Sequence, residues 1–400
     1  MFCMPYNPAT AGNCLGIPYM DHAETDLNPR YERGTLQEVY EMIGKDIEAG
    51  IPLIDDTAYS VPKYHFNYKA ACCFASRYYL FMQDWDNAIK YATMALTSNP
   101  SSLLRDYSAI AALPKGTSRH QEYVNSASMA NFLLQAATSN SGLLFDWYST
   151  AGRYSHGKLQ GIYETVQPKK GGPWGSSVTF KAPHAVLASS GKYVLPRTWR
   201  VFQYTDPVAG TGFNKAISVL FTSEEALLNR AEAYIMKMNE DPTALDKALE
   251  DINLYAANLF SAGFKSMTEA SIIKWATETY PDYSELYVGK TSVSSPQTLN
   301  PKKKLHAAPY NTLEEGGPQE SMLQALIFMR RYQFLHEGMR WFDTRRFGIT
   351  VYRYLLDEDA ETVVQITDQI SDENGTADPR RALQLPADVI AAGLTPNPRK

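Results

Sequence analysis

From Thr35 to Gly50 the apolar positions return every three or four residues, at Leu36, Val39, Tyr40, Ile43 and Ile47. That spacing lines one face of a helix. Thr35 and Glu38 stand at the spacing of a capping box, and Gly50 with Pro52 closes the run. The segment before it is punctuated by Pro5, Pro8, Gly12, Gly16 and Pro18, which predicts irregular chain.

Two further stretches read as helical hairpins. In the first, Lys69 to Ser102, the small residues Ala75 and Ser76 precede a break at Gln83-Asp84, and Ala88, Ala95 and Pro100 follow. Small residues let antiparallel helices approach closely, and the proline ends the second helix, so the unit resembles one tetratricopeptide repeat. The second, Thr222 to Phe260, opens with the capping pair Thr222 and Glu225. It carries a stripe of Ala226, Leu227, Ala231, Tyr234 and Ile235, then resumes after Pro242 with Leu245, Ala248, Leu249, Ile252 and Leu259. The two units lie too far apart in sequence for a tandem array sharing one continuous core.

Between them, residues 141–215 have a different character. They hold 10 of the 24 glycines and three of the six tryptophans, Trp147, Trp174 and Trp199. Ser177–Phe180 and Trp199–Tyr204 read as short strands. Long connections inside a domain are usually functional or disordered, and aromatic residues at this density argue against disorder. A second irregular stretch runs from Tyr280 to Pro318. From about Gln319 to Phe342 the pattern predicts one more helix, its core positions Leu323, Leu326, Ile327 and Phe334 interleaved with Arg330, Arg331, Glu337 and Arg340. Arg330, Glu337 and Trp341 share a face, and Arg340 and Asp343 form an i, i+3 pair. The flanking Trp341 and Phe342 favour a buried arginine–carboxylate cluster over a solvated stripe, because a planar guanidinium satisfies several acceptors at once.

Composition narrows the function classes. The chain of 400 residues has a formal charge of −5, which excludes nucleic acid or anionic lipid as the main electrostatic partner. Its 26 tyrosines, 16 phenylalanines and 6 tryptophans instead suit a recognition surface. Cys3, Cys14, Cys72 and Cys73 are too few for a disulfide scaffold and match no zinc spacing. The seven histidines form no HExxH pair, and neither a G-x-S-x-G elbow nor a phosphate-binding loop is present. Asp146 and Glu164, each beside an aromatic residue, are the candidates for a glycosidase carboxylate pair. No cofactor or metal is expected.

The run from Ile327 to Gly348 resembles the C-terminal signature of the SusD/RagB family, roughly E-R-x-x-E-L-x-x-E-G-x-R-W-x-D-L-x-R. Arg330, Glu337, Gly338, Arg340, Trp341, Asp343 and Arg346 match it, while Met329 and Thr344 stand where the motif has Glu and Leu. The helix from Thr35 to Ile47, the two hairpins, and Leu385-Pro386 with Asn397-Pro398 agree with the family in order. The resemblance implies a mainly α, SusD-like fold in a single domain. Its tetratricopeptide-like scaffold would span residues 35–105 and 220–347, with ligand-facing elaborations at 106–219 and 280–318 and a C-terminal tail at 348–400. It also implies non-catalytic capture of glycan at the bacterial outer membrane, for a TonB-dependent, SusC-like transporter partner. The full-length protein would be lipid-anchored and this chain, lacking the family's N-terminal portion, soluble. Arg330, Glu337, Arg340, Trp341, Asp343 and Arg346 would then be structural. The ligand contacts expected from aromatic stacking are Trp174 first, in a glycine-rich loop with little around it to bury the ring, then Trp199 and Trp147, with Tyr148, Tyr154 and Tyr204. The alternatives are a helical scaffold that binds peptide or protein, and a helical glycoside hydrolase.

Overall fold

A computed structural model describes residues 1–25, 29–114, 116–142, 165, 172–175, 178, 180–181, 185–187, 192–194, 201–261, 263–280, 302–358, 363–373 and 375–399. The fold is mainly α. Helix α1 (Leu36–Gly50) begins at the capping box read from the sequence: Thr35 Oγ1 accepts the Glu38 N–H at 3.1 Å, and the Glu38 carboxylate accepts the Thr35 N–H at 2.7 Å. Helices α2 (Tyr68–Met82) and α3 (Trp85–Leu96) form the first hairpin. Gln83 makes the turn in the left-handed region at φ 65°, and Asp84 caps α3 by accepting the Asn87 N–H. Ala75, Ser76, Ala88 and Ala95 are all fully buried, as close helix approach requires.

Two short helices, α4 (Tyr107–Ala112) and α5 (Thr117–Tyr123), lead to strand β1 (Asn131–Thr138). The short strands β2 (Ala185–Leu187) and β3 (Lys192–Val194) pair with each other. Strands β4 (Val201–Asp206) and β5 (Thr211–Thr222) form an antiparallel hairpin, and β1 joins its other edge in the order β1-β5-β4. Strand β5 then runs directly into α6 (Ser223–Lys237), which forms the second hairpin with α7 (Ala244–Leu259). Helix α6 is the axis of the molecule: 11 of its 15 residues are buried.

Helix α8 (Glu269–Lys274) precedes the C-terminal signature. The single helix expected from Gln319 to Phe342 is two, α9 (Pro318–Gln333) and α10 (Met339–Arg346). His336 and Gly338 both take positive φ, 67° and 78°, and turn the chain between them. Continuous apolar periodicity concealed this break, since Phe334 and Leu335 in the connection are buried like helix-core residues. A last hairpin, β6 (Val351–Leu356) with β7 (Val363–Ile370), leads to the tail. The tail is anchored by Arg381, which pairs with Asp372 and donates at 2.9 Å to the carbonyls of Thr344 and Ile349.

The signature residues divide by depth. Arg330, Asp343 and Arg346 are buried, whereas Glu337, Arg340 and Trp341 are half-buried. The expected burial of Glu337 and Arg340 therefore needs correcting, because the break before α10 turns them towards the rim. Glu337 there accepts the Tyr123 hydroxyl at 2.5 Å. The partners of the deep arginines come from α6. Its residues Glu225, Asn229 and Glu232, at i, i+4 and i+7, make one polar face that is buried throughout. Glu225 accepts from Arg77 at 2.5 and 2.7 Å, Asn229 accepts from Arg330 at 2.9 Å, and Glu232 accepts from Arg346 at 2.6 and 3.0 Å. Because Glu225 is drawn to Arg77, only Thr222 completes its half of the cap expected at the start of α6.

Candidate functional site

Trp174 is not at the surface. Its indole is 0% exposed and lies between Phe260 and Phe328, with ring centroids 5.2 and 5.0 Å away and planes within 22° and 12°. The neighbouring glycines explain the reversal. A Cβ at Gly172 would lie 2.2 Å from the indole, and one at Gly175, where φ is +117°, would lie 2.6 Å from the Gly263 carbonyl oxygen. Glycine here does not leave the ring bare; it lets two backbone segments close over it. Trp174 is a core residue and not the exposed ring expected of its loop. Trp147, Trp199, Tyr148 and Tyr154 lie outside the described residues, as do Asp146 and Glu164.

Tyr204 is exposed, at 58%, on the β4–β5 hairpin. Alternation along β4 puts Phe202 on the same face, and the two rings meet edge to face with centroids 4.9 Å apart and an interplanar angle of 73°. Across the ladder Phe202 faces Asn214 and Tyr204 faces Gly212. Gly212 is needed for the strands to meet: a Cβ there would lie 2.1 Å from the Gln203 carbonyl oxygen. The turn is set by Asp206, whose Oδ1 accepts the N–H groups of Val208 and Ala209 at 2.9 Å each.

Beside the rings lies an amide pair. Asn214 donates through Nδ2 to Asn140 Oδ1 at 3.0 Å, and its own Oδ1 is shielded from solvent with no donor among the described residues. A buried acceptor without a donor is unusual in a folded protein. The hairpin thus presents an exposed aromatic ring, the chemistry that stacks on the C–H face of a sugar. Among the described residues no group of three or more His, Cys, Asp or Glu side chains is placed to hold a metal ion.

Of these residues Tyr204 is expected from the sequence, and Phe202 and Asn214 are not. The period-two pattern of Val201–Asp206, ended by Pro207 and Gly210, was the signal that would have joined the first two. A second exposed aromatic group has no counterpart among the residues expected from the sequence. Tyr59 and His65 stack with centroids 4.1 Å apart, and Tyr64 and Phe66 beside them are 58% and 48% exposed.

Residues 1–80 match a family model, SusD-like, described as starch-binding and associating with the outer membrane. No curated protein matches the chain by sequence. Among solved structures, a SusD superfamily protein from Bacteroides thetaiotaomicron VPI-5482 aligns at 17% identity and TM-score 0.55, covering 99% of this chain and 73% of that one. One from Bacteroides vulgatus ATCC 8482 aligns at 17% identity and TM-score 0.53, covering 99% and 72%. A SusD-like carbohydrate binding protein from the same organism aligns at 17% identity and TM-score 0.51, covering 95% and 69%. At such identities the likeness is one of fold. The fold is SusD-like, and the resemblance read from residues 327–348 is joined by a family match at the opposite end of the chain.

Proposed function

We propose that this protein captures glycan at the bacterial outer membrane without hydrolysing it and hands the glycan to a TonB-dependent transporter. The observation that carries the binding role is the exposed Tyr204 ring, held edge to face against the half-buried Phe202. The family description, starch-binding and associating with the outer membrane, supports both the ligand class and the location. The carbohydrate-binding description of one structural neighbour points the same way. The transporter partner and the lipid anchor rest on the resemblance alone. Among the described residues no helix is long and apolar enough to cross a membrane. Trp147, Trp199, Tyr148 and Tyr154 remain proposed contacts on the same grounds as before, that aromatic rings stack on sugars.

Binding is measured on a glycan array and then by calorimetry with a soluble α-glucan oligosaccharide. A tyrosine that covers roughly 100 Å² of sugar contributes on the order of 2.5 kcal/mol at ~25 cal/mol/Å², or roughly 60-fold in affinity. Tyr204→Ala is expected to weaken binding by about that factor with no change in melting temperature, because the ring is exposed in the free protein. No new reducing ends are expected on long incubation. Undiminished affinity in Tyr204→Ala removes the hairpin from the site, and release of reducing ends replaces capture with hydrolysis.

A further inference from the structure

Away from the hairpin, α1, α2 and α10 enclose a cavity of about 220 Å³ with largely apolar walls. Ile43 of α1, Phe81 of α2 and Phe342 of α10 line it, and the rings of Tyr6, Tyr40 and Tyr78 form a stepped stack along one side, with centroids 4.6 and 5.8 Å apart. Three arginines also line it. Arg77 is committed to Glu225, and Arg346 to Glu232 and Asp343. Arg345 is not committed to any carboxylate among the described residues.

Arg345 is only 6% exposed, yet its sole acceptor is the carbonyl of Cys3, and its Nε is buried with no acceptor. Burial holds the Arg345 pKa below its ordinary value, opposed by Tyr40 and Cys3, with no carboxylate among the influences. Tyr40 is similarly incomplete: its carbonyl accepts the Tyr78 hydroxyl at 2.6 Å, while its own hydroxyl has no partner among the described residues. A buried guanidinium without an anion is costly, and folded proteins normally pair it. Arg346 and not Arg345 matches the final arginine of the signature, and the network of Arg330, Asp343 and Arg346 does not use the Arg345 charge.

We propose that this cavity binds a small monocarboxylate carrying one aromatic ring. The carboxylate pairs with Arg345, and the ring packs among the tyrosines and phenylalanines. An apolar cavity of about 150 Å³ accommodates a benzene ring, so this volume takes one ring with a short carboxylate arm. The site is separate from the hairpin and does not depend on glycan capture.

The full chain is titrated calorimetrically with 4-hydroxyphenylacetate and with its neutral amide, which has nearly the same shape. A charge-assisted bond to a buried arginine predicts that the acid binds about tenfold or more tightly than the amide. Arg345→Met is expected to lower the acid to the affinity of the amide, and Ile43→Trp, which fills the cavity from α1, to abolish both. Failure of the acid to bind wild-type protein at millimolar concentration overturns the proposal. Equal binding of acid and amide does the same, as does a preference for the acid that survives in Arg345→Met. Should Arg345→Met not fold, the acid–amide comparison on wild-type protein and the Ile43→Trp variant decide the matter.

Discussion

Arg330 and Asp343, thirteen residues apart on α9 and α10, hold those helices together across the turn that separates them. Nε and Nη2 of Arg330 reach the Asp343 carboxylate at 2.9 to 3.1 Å, and each side chain is 1% exposed. Arg346 reaches the same Oδ1 at 3.3 Å, and Arg330 continues through Nη1 to Asn229 on α6. One carboxylate thus serves two guanidinium groups, and the pair fixes α10 against the axis of the fold.

Breaking the pair from one side leaves a buried charge without compensation, which costs about 3–5 kcal/mol. Arg330→Met and Asp343→Asn are each expected to lower the denaturant midpoint substantially. The double variant should lose less than the sum of the two, since neither charge is then stranded. Additive losses in urea titrations of all three would mean that the two side chains act independently.

The same carboxylate sets an acid limit. Burial tends to raise the Asp343 pKa, but Arg330 and Arg346 outweigh it and hold the group below its ordinary value. A depressed carboxylate contributes stability that is fully present above its unfolded pKa of about 3.9 and is lost as pH falls towards the folded value. Its contribution should therefore be flat from neutrality down to about pH 5 and decline below about pH 4. Asp343→Asn should flatten that acid limb when unfolding free energy is measured against pH; a limb as steep as in wild-type protein would assign it to other carboxylates.

Trp174→Ala removes a ring packed against Phe260, Phe328 and Trp275. A buried Trp→Ala change costs about 3–5 kcal/mol. Melting temperature is expected to fall sharply, while glycan affinity of the protein that remains folded stays as in wild type. An affinity loss at unchanged melting temperature would return Trp174 to the ligand surface.

Gly212→Ala places a methyl group against the Gln203 backbone, a clash that only separation of β4 from β5 relieves. Gly212 lies ten residues before the strand end that feeds α6, so the helices should be unaffected and the far-ultraviolet circular dichroism should keep its helical signal. Glycan affinity is expected to fall at least as far as in Tyr204→Ala, because both rings lose their support. Wild-type affinity would show that the strand pairing is dispensable for binding.

The helical frame was legible because it rests on local rules. Thr35 with Glu38, the alanines of Lys69–Ser102 and the stripe of Thr222–Phe260 each specify structure within a few turns, and each appears where the spacing put it. The arginine–carboxylate cluster was legible as a cluster. Its partners were not: Glu225, Asn229 and Glu232 lie about a hundred residues from Arg330 and Arg346 in sequence and read locally as an ordinary polar helix face.

Trp174 and Tyr204 mark the boundary most sharply. Both are aromatic residues in glycine-containing stretches of the same insertion, and the sequence by itself determined that such residues are concentrated there. Which ring is spent on the core and which is left for a ligand was decided only by the tertiary structure. Trp174 is covered by Phe260 of the α7 end and Phe328 of α9, whereas Tyr204 is 58% exposed on its hairpin. Burial is a sum over neighbours distant in sequence, so local composition constrains it only weakly. The charge of Arg345 follows the same logic: its presence is plain in the sequence, but its lack of a carboxylate emerges only once every neighbour has been placed.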